Sequence, residues 1–195
     1  MILVIDNYDS FTYNLYQSLQ ALTPEPVLVR RNDQITTDEI AEMKPTHIVL
    51  SPGPGHPANA RDFGVCAQVI DRQEELDCAI LGVCLGHQGI GHHFGANVGR
   101  APSIVHGKAS EIDRDETPLF HGVPETFKAM RYHSLVVNED ADFPDCLQVL
   151  ARDRQQKLVM AMRHKTRRLY GVQFHPESIG TADGTTILEN FLTRC

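Results

Sequence analysis

Apolar positions fall along this chain in short blocks, each closed by polar or turn-forming residues. "ILVID" (2–6) is continuously apolar and β-branched until Asp6, the pattern of a strand covered on both faces. Phe11, Leu15, Leu19 and Leu22 then recur at spacings of four, four and three, which puts them on one stripe of a helix lying against a sheet. "PVLVR" (26–30) and "HIVL" (47–50) are two further strands, and Thr36-Thr37-Asp38-Glu39 between them reads as a capping box that opens a short helix. Residues 63–76 carry a helical pattern, "AILGV" (79–83) a fourth strand, and "LGHQGIGHHFG" (85–95) a helix ending near Gly95. Strands and helices alternating at this spacing predict an α/β fold, an open and mostly parallel twisted sheet flanked by helices.

Beyond Asn97 the blocks become short and strand-like: "SIVHG" (103–107), "TFKAM" (126–130), "LQVLA" (147–151), "LVMAM" (158–162) and "LYGVQF" (169–174). Some of these are expected as extra antiparallel strands at one edge. "GTTILENFL" (184–192) reads as an amphipathic terminal helix. With no repeat, low-complexity tract or linker, the 195 residues fit a single domain over 1–195.

Charge narrows the partners. The formal net charge is −7, and the one basic cluster, "RHKTRR" (163–168), reads as a solvated turn, so no nucleic-acid surface is expected. No apolar run approaches the roughly 20 residues of a membrane-spanning helix, and no membrane association is expected. The five cysteines form no CxxC pair, and the chain opens on a strand-like segment without a leader pattern, so the expected compartment is a reducing cytoplasm.

One cysteine stands apart. Gly82-Val83-Cys84-Leu85-Gly86 follows a buried strand, and glycines on both sides of such a turn let backbone pass closely while the central side chain projects outward, as in a nucleophile elbow. At a helix N-terminus the partial positive charge also favours thiolate. Read alone, the spacing also fits a small core cysteine. A cysteine nucleophile needs a proton carrier, and "GVQFHPES" (171–178) offers His175 at the end of an apolar strand with Glu177 two residues on. A carboxylate there can fix the imidazole tautomer and stabilise imidazolium. Without the elbow, the same pair fits a strand end with two exposed polar residues.

Acyl transfer needs donors for a developing oxyanion. The loop "SPGPGHP" (51–57) is too rich in Pro and Gly for regular structure, and it offers the N–H of Gly55 beside that of Leu85. His87, His92 and His93 present no facing pair four residues apart, so no metal site is predicted. His56, His106, His121 and His164 read as surface or loop residues.

"SPGPGHP", "LGVCLGHQGIG", "RYHSLVV" and "YGVQFHPES" together resemble the motifs of class I (triad-type) glutamine amidotransferases, in the family's order and over almost the entire chain. The resemblance implies a flavodoxin-like sheet and a Cys84-His175-Glu177 glutaminase that forms a γ-glutamyl thioester, with glutamine held by Gly53, Pro54, Gly55, Gln88, Ser134 and Leu135. "IDNYDSFTYNL" (5–15), with "HGK" (106–108) and "GTTILENFL", resembles the small subunits of anthranilate synthase and aminodeoxychorismate synthase. That implies no cofactor in this chain and a partner synthase subunit that binds chorismate and Mg²⁺ and receives the ammonia. The competing readings are a Cys-His hydrolase of another γ-glutamyl or peptide bond, and a catalytically silent module on the same fold. "GIGHHFG" (89–95) and the charged turn "RDRQQK" (152–157) depart from the family pattern without touching the triad.

Overall fold

The computed structural model describes the backbone of residues 1–195 and all side chains except those of residues 104–106. The histidine expected at the surface at position 106 therefore lies outside the described side chains. In chain order the elements are β1 (Ile2–Asp6), α1 (Thr12–Leu22), β2 (Val27–Arg31), α2 (Thr37–Met43), β3 (His47–Leu50), α3 (Ala60–Phe63), α4 (Cys66–Asp71), α5 (Gln73–Leu76), β4 (Ala79–Val83) and α6 (Leu85–His93). The second part adds β5 (Val98–Arg114), β6 (Thr126–Val137), β7 (Leu147–Asp153), β8 (Val159–His164), β9 (Leu169–Val172) and α7 (Gly184–Arg194).

The strands form one sheet in the order β2-β1-β3-β4-β9-β8-β7-β5-β6. The first five are parallel, and each of the remaining four pairs antiparallel with its neighbour. The predicted antiparallel additions thus continue the sheet from the β9 edge. All five residues of β1 and of β4 are buried, as a strand covered on both faces requires. Alternate residues go to opposite cores: Ile2 and Val4 meet Leu15 and Leu19 of α1 and Phe191 of α7, whereas Leu3 and Ile5 meet Ile40 of α2, Ile70 of α4 and Ile90 of α6. The capping box at α2 is present, with the Thr36 N–H donating to Glu39 at 2.8 Å and the Glu39 N–H returning to the Thr36 hydroxyl at 3.3 Å.

Three expectations are corrected. The helical stretch 63–76 is broken into the end of α3 and the short helices α4 and α5: Gly64 takes φ 47° and rests on Asn32, whose carbonyl oxygen would lie 2.4 Å from a Cβ there, and Arg72 separates α4 from α5. "SIVHG" is only the middle of the 17-residue β5, which is irregular where it passes β6. The turn "RHKTRR" is not wholly solvated: Arg167 donates to the carbonyl oxygens of Ile70 and Asp71 at 2.7 and 2.9 Å, filling acceptors that a helix end leaves open. Among the described residues, no helix is long and apolar enough to cross a membrane.

Candidate active site

Cys84 joins β4 to α6 with φ 53° and ψ −99°, a conformation that residues with a side chain rarely adopt and that costs about 1–3 kcal/mol. Packing enforces it. A Cβ on Gly82 would lie 2.4 Å from the Gly86 carbonyl, and one on Gly86 would lie 2.4 Å from the Leu50 carbonyl oxygen. Both glycines are thus required for α6 to start directly over the strand ends. The Cys84 N–H donates to Val172 at 2.9 Å, which ties the elbow to β9, and its carbonyl accepts from the Gln88 N–H at 3.0 Å.

The imidazole reaches this point by another route. β9 ends at Val172, three residues before His175, so the strand does not itself deliver the ring. The His175 N–H donates to the Met130 carbonyl of β6 at 3.1 Å. The Thr181 hydroxyl donates to the His175 carbonyl at 2.8 Å and accepts from the Met130 N–H at 3.0 Å. Ring edges complete the seat, with Tyr132 centred 5.0 Å and Phe11 5.9 Å from the imidazole.

Phe11 arrives there through the loop after β1. Asp6 accepts from the Tyr8 N–H at 2.9 Å and the Thr12 hydroxyl at 2.8 Å, while Asn7 donates two 2.8 Å hydrogen bonds to Ser51, from its backbone N–H to the hydroxyl and from its amide to the carbonyl. The polar residues of "IDNYDSFTYNL" therefore shape a loop whose aromatic member touches the site.

His175 Nδ1 lies 2.6 Å from Glu177 Oε1, with both side chains buried. The carboxylate accepts the Nδ1 proton, which leaves Nε2 to exchange protons. Nε2 is buried and makes no aligned hydrogen bond, although the Cys84 sulfur is near enough to act on the ring's charge. Burial opposes the imidazolium, but hydrogen bonding and charge from Cys84 and Glu177 outweigh it and push the His175 pKa up to about 10. The ring therefore holds its proton at neutral pH, beside a sulfur.

A cavity of about 390 Å³ opens over the elbow, lined by Gly53, Pro54, Gly55, Cys84, Gln88 and the stretch 132–135 of β6. A larger one, about 590 Å³, lies beside Glu139, Arg152 and Lys157 and has no cysteine, serine or threonine in its lining, so chemistry and not size marks the candidate. Gly55 has φ 91°, and a Cβ there would lie 2.1 Å from Asp62 Oδ2. Leu85 opens α6 with its side chain beneath Gly53, and as the first helical residue its N–H has no partner within the helix. Ser134 is exposed at the cavity rim. The Gln88 amide nitrogen is engaged within the protein, by Leu135 O and Gln173 Oε1, each at 3.1 Å.

Beneath Leu135 sits a network that sequence reasoning missed. Arg131 Nε donates to His133 Nε2 at 2.9 Å. A guanidinium only donates, so His133 must carry its proton on Nδ1, which lies 2.9 Å from Leu135 O. Burial, then the Arg131 charge, lowers the His133 pKa to about 4, so the ring is neutral. Arg131 is balanced by buried Asp153 at 3.1 Å. Tyr132, Thr181, Phe11 and Gln173 were also missed. Gln173 had a readable signal, being a buried amide in the apolar run "GVQF".

His87 is fully buried in α6, and burial lowers its pKa to about 3, whereas His56 and His164 are half-buried and His121 exposed. Among the described residues, no three His, Cys, Asp or Glu side chains group as metal ligands.

Comparison with known proteins accords with this geometry. Residues 3–195 match the family model described as glutamine amidotransferase class-I. Anthranilate synthase component 2 of Methanothermobacter marburgensis is 49% identical over 196 residues, covering 98% of this chain and 97% of that protein. Aminodeoxychorismate synthase component 2 of Serratia marcescens is 46% identical over 197 residues, covering 100% of each. A solved structure from Thermoplasma acidophilum, described as a GMP synthase subunit, superimposes with a TM-score of 0.84 at 27% identity, covering 98% of this chain and 91% of that one. With an elbow cysteine, a carboxylate-paired histidine and a family match over nearly its whole length, the chain belongs to the class I glutamine amidotransferases.

Proposed function

We propose that this chain is the glutaminase component of a chorismate-using synthase and that Cys84, His175 and Glu177 carry the chemistry. Glutamine enters the cavity above the elbow, bounded by Gly53, Pro54, Gly55, Gln88, Ser134 and Leu135. The Cys84 sulfur attacks the side-chain amide carbon, and the N–H groups of Gly55 and Leu85 stabilise the oxyanion that forms. The imidazolium of His175 gives its Nε2 proton to the departing nitrogen, which leaves as ammonia, and a γ-glutamyl thioester remains. The neutral ring then takes a proton from water, whose hydroxide attacks the thioester. Glutamate is released and the sulfur returns to its starting state. Glu177 keeps the ring in one tautomer and stabilises its charge through both steps.

The observation that carries this reading is the 2.6 Å His175–Glu177 pair seated beside an elbow cysteine under a cavity. The relatives support the partner, two of them being component 2 of anthranilate synthase and of aminodeoxychorismate synthase, matched over essentially their full length. In this reading the partner binds chorismate and Mg²⁺, no cofactor acts in this chain, and ammonia passes from the glutaminase to the synthase.

The test is reconstitution: the chain is mixed with each candidate synthase, chorismate, Mg²⁺ and glutamine, and the aminated product is identified. Glutamine turnover is expected to be low alone and to rise with the partner. Equal rates with and without it would remove the coupling.

A further inference from the structure

Gln173 is fully buried immediately after β9, between the apolar residues Val172 and Phe174. A primary amide in such a place must find partners for its oxygen and its N–H groups. Its Oε1 accepts from Gln88 Nε2 at 3.1 Å, and its Nε2 stands 3.5 Å from Cys84 Sγ.

The direction of this chain is set by chemistry. Leu135 O can only accept, so the Gln88 group 3.1 Å from it is the amide nitrogen. That nitrogen's second hydrogen goes to Gln173, so Gln173 turns its oxygen to Gln88 and its nitrogen to the sulfur. Rotating the Gln173 amide by half a turn would set two NH₂ groups against each other and an oxygen against the sulfur. One donor sequence thus runs from the glutamine-pocket wall to the thiol: Gln88 donates to Leu135 O and to Gln173, and Gln173 donates to Cys84.

We propose that Gln173 is a positioning residue for the nucleophile, holding the Cys84 sulfur by an N–H hydrogen bond that is strongest when the sulfur is ionised. This rests on the reading of Cys84 as nucleophile. Hydrogen bonds to a charged acceptor are worth more than neutral ones, so the contact favours thiolate and restricts its rotamer. Formation of the thioester makes the sulfur a weaker acceptor, so the restraint slackens once the acyl group is attached. Because Gln88 and Leu135 hold the Gln173 amide in its orientation, the wall that receives glutamine and the attacking atom are aligned by one network.

Two variants separate this role from simple packing. Gln173→Met keeps the length and removes both polar ends. Gln173→Glu keeps an acceptor for Gln88 and removes the donor to sulfur. The readout is the pH dependence of Cys84 alkylation by iodoacetamide, followed on the Cys84 peptide by mass spectrometry because Cys146 and Cys195 are only partly buried. In both variants the alkylation profile is expected to lie about one pH unit above that of the parent. With the synthase present, kcat for glutamine falls and KM moves less.

Profiles that superimpose on the parent in both folded variants overturn the proposal. A normal profile in Gln173→Glu alone overturns it too, because the link to Gln88 would then suffice. Loss of folding in Gln173→Met leaves the near-isosteric Gln173→Glu to decide. Absence of glutamine turnover in the parent with every synthase would defeat the glutaminase reading and leave the alkylation result standing.

Discussion

The thiol and the imidazole meet at one cavity but are held there by opposite means. Cys84 is placed by its own backbone, a single residue at φ 53° between two glycines that admit no side chain. His175 is placed by other parts of the chain, through Met130, Thr181, Tyr132 and Phe11. The elbow belongs to the parallel half of the sheet, whereas two of the histidine's four supports, Met130 and Tyr132, come from β6 in the antiparallel half. A local device is expected to fail abruptly when altered. A distributed one is expected to fail by degrees.

The largest effects come from the reacting groups themselves. Cys84→Ala is expected to reduce glutamine-dependent synthesis by about four orders of magnitude or to background, while added ammonia still supports the partner. Glutamine-dependent product at the parent rate would remove Cys84 from the chemistry. Glu177→Gln is expected to lower kcat by about 10²- to 10³-fold, since the ring loses the charge that stabilises its imidazolium. The His175 pKa, raised above its ordinary value of 6.5 to about 10 by Cys84 and Glu177 against the opposing effect of burial, should then fall. An NMR titration of the His175 ring reads this directly, and an unchanged midpoint would contradict the assigned pairing.

The same shift has a consequence for stability. Folding raises the His175 pKa, so the native state binds the proton more tightly than the unfolded chain. The stabilisation is complete below about pH 6.5, the unfolded value, and is lost as pH rises through the folded value near 10. Denaturant midpoints measured across this window should fall more steeply for the parent than for Glu177→Gln.

Gly86→Ala breaks the local device without touching a reacting group. Its Cβ would lie 2.4 Å from the Leu50 carbonyl oxygen, so α6 must move away from the strand ends. Glutaminase activity is expected to fall about a hundredfold, the order associated with a displacement near 1 Å. Stability should drop by about 1–3 kcal/mol, as for overpacking elsewhere. Activity within twofold of the parent would show that the elbow does not depend on glycine there.

The same contrast governs what could be read from the residues. β1, β3 and β4 span the same blocks that the sequence marks, 2–6, 47–50 and 79–83, because a strand buried on both faces has little polar content to blur its limits. The elbow was legible for a related reason, since two close backbone approaches demand two glycines in a fixed local pattern. The break at Gly64 between α3 and α4 was not legible, because it depends on Asn32, some thirty residues earlier. β5 was seen only in part, as its end "KASEIDR" is mostly polar and gives weak alternation. His175 and Glu177 could be named from their short spacing, but their seat could not. It joins the Met130 backbone 45 positions upstream, the Thr181 hydroxyl six positions downstream, and ring edges from Tyr132 and from Phe11 at the far end of the chain.

Thr181→Val tests the distributed seat at its most replaceable point. The hydroxyl joins the His175 carbonyl to the Met130 N–H, and valine keeps its shape while leaving both groups without that partner. Leaving such groups unpaired costs about 1–3 kcal/mol, read as a lower denaturant midpoint. Activity, however, should fall by no more than about tenfold, because the Met130 carbonyl and two aromatic edges still hold the ring. Thr181→Ser, which keeps the hydroxyl, should recover most of the activity. A loss as deep as that of Gly86→Ala would mean that the histidine hangs on one contact, and the distinction between local and distributed placement would collapse.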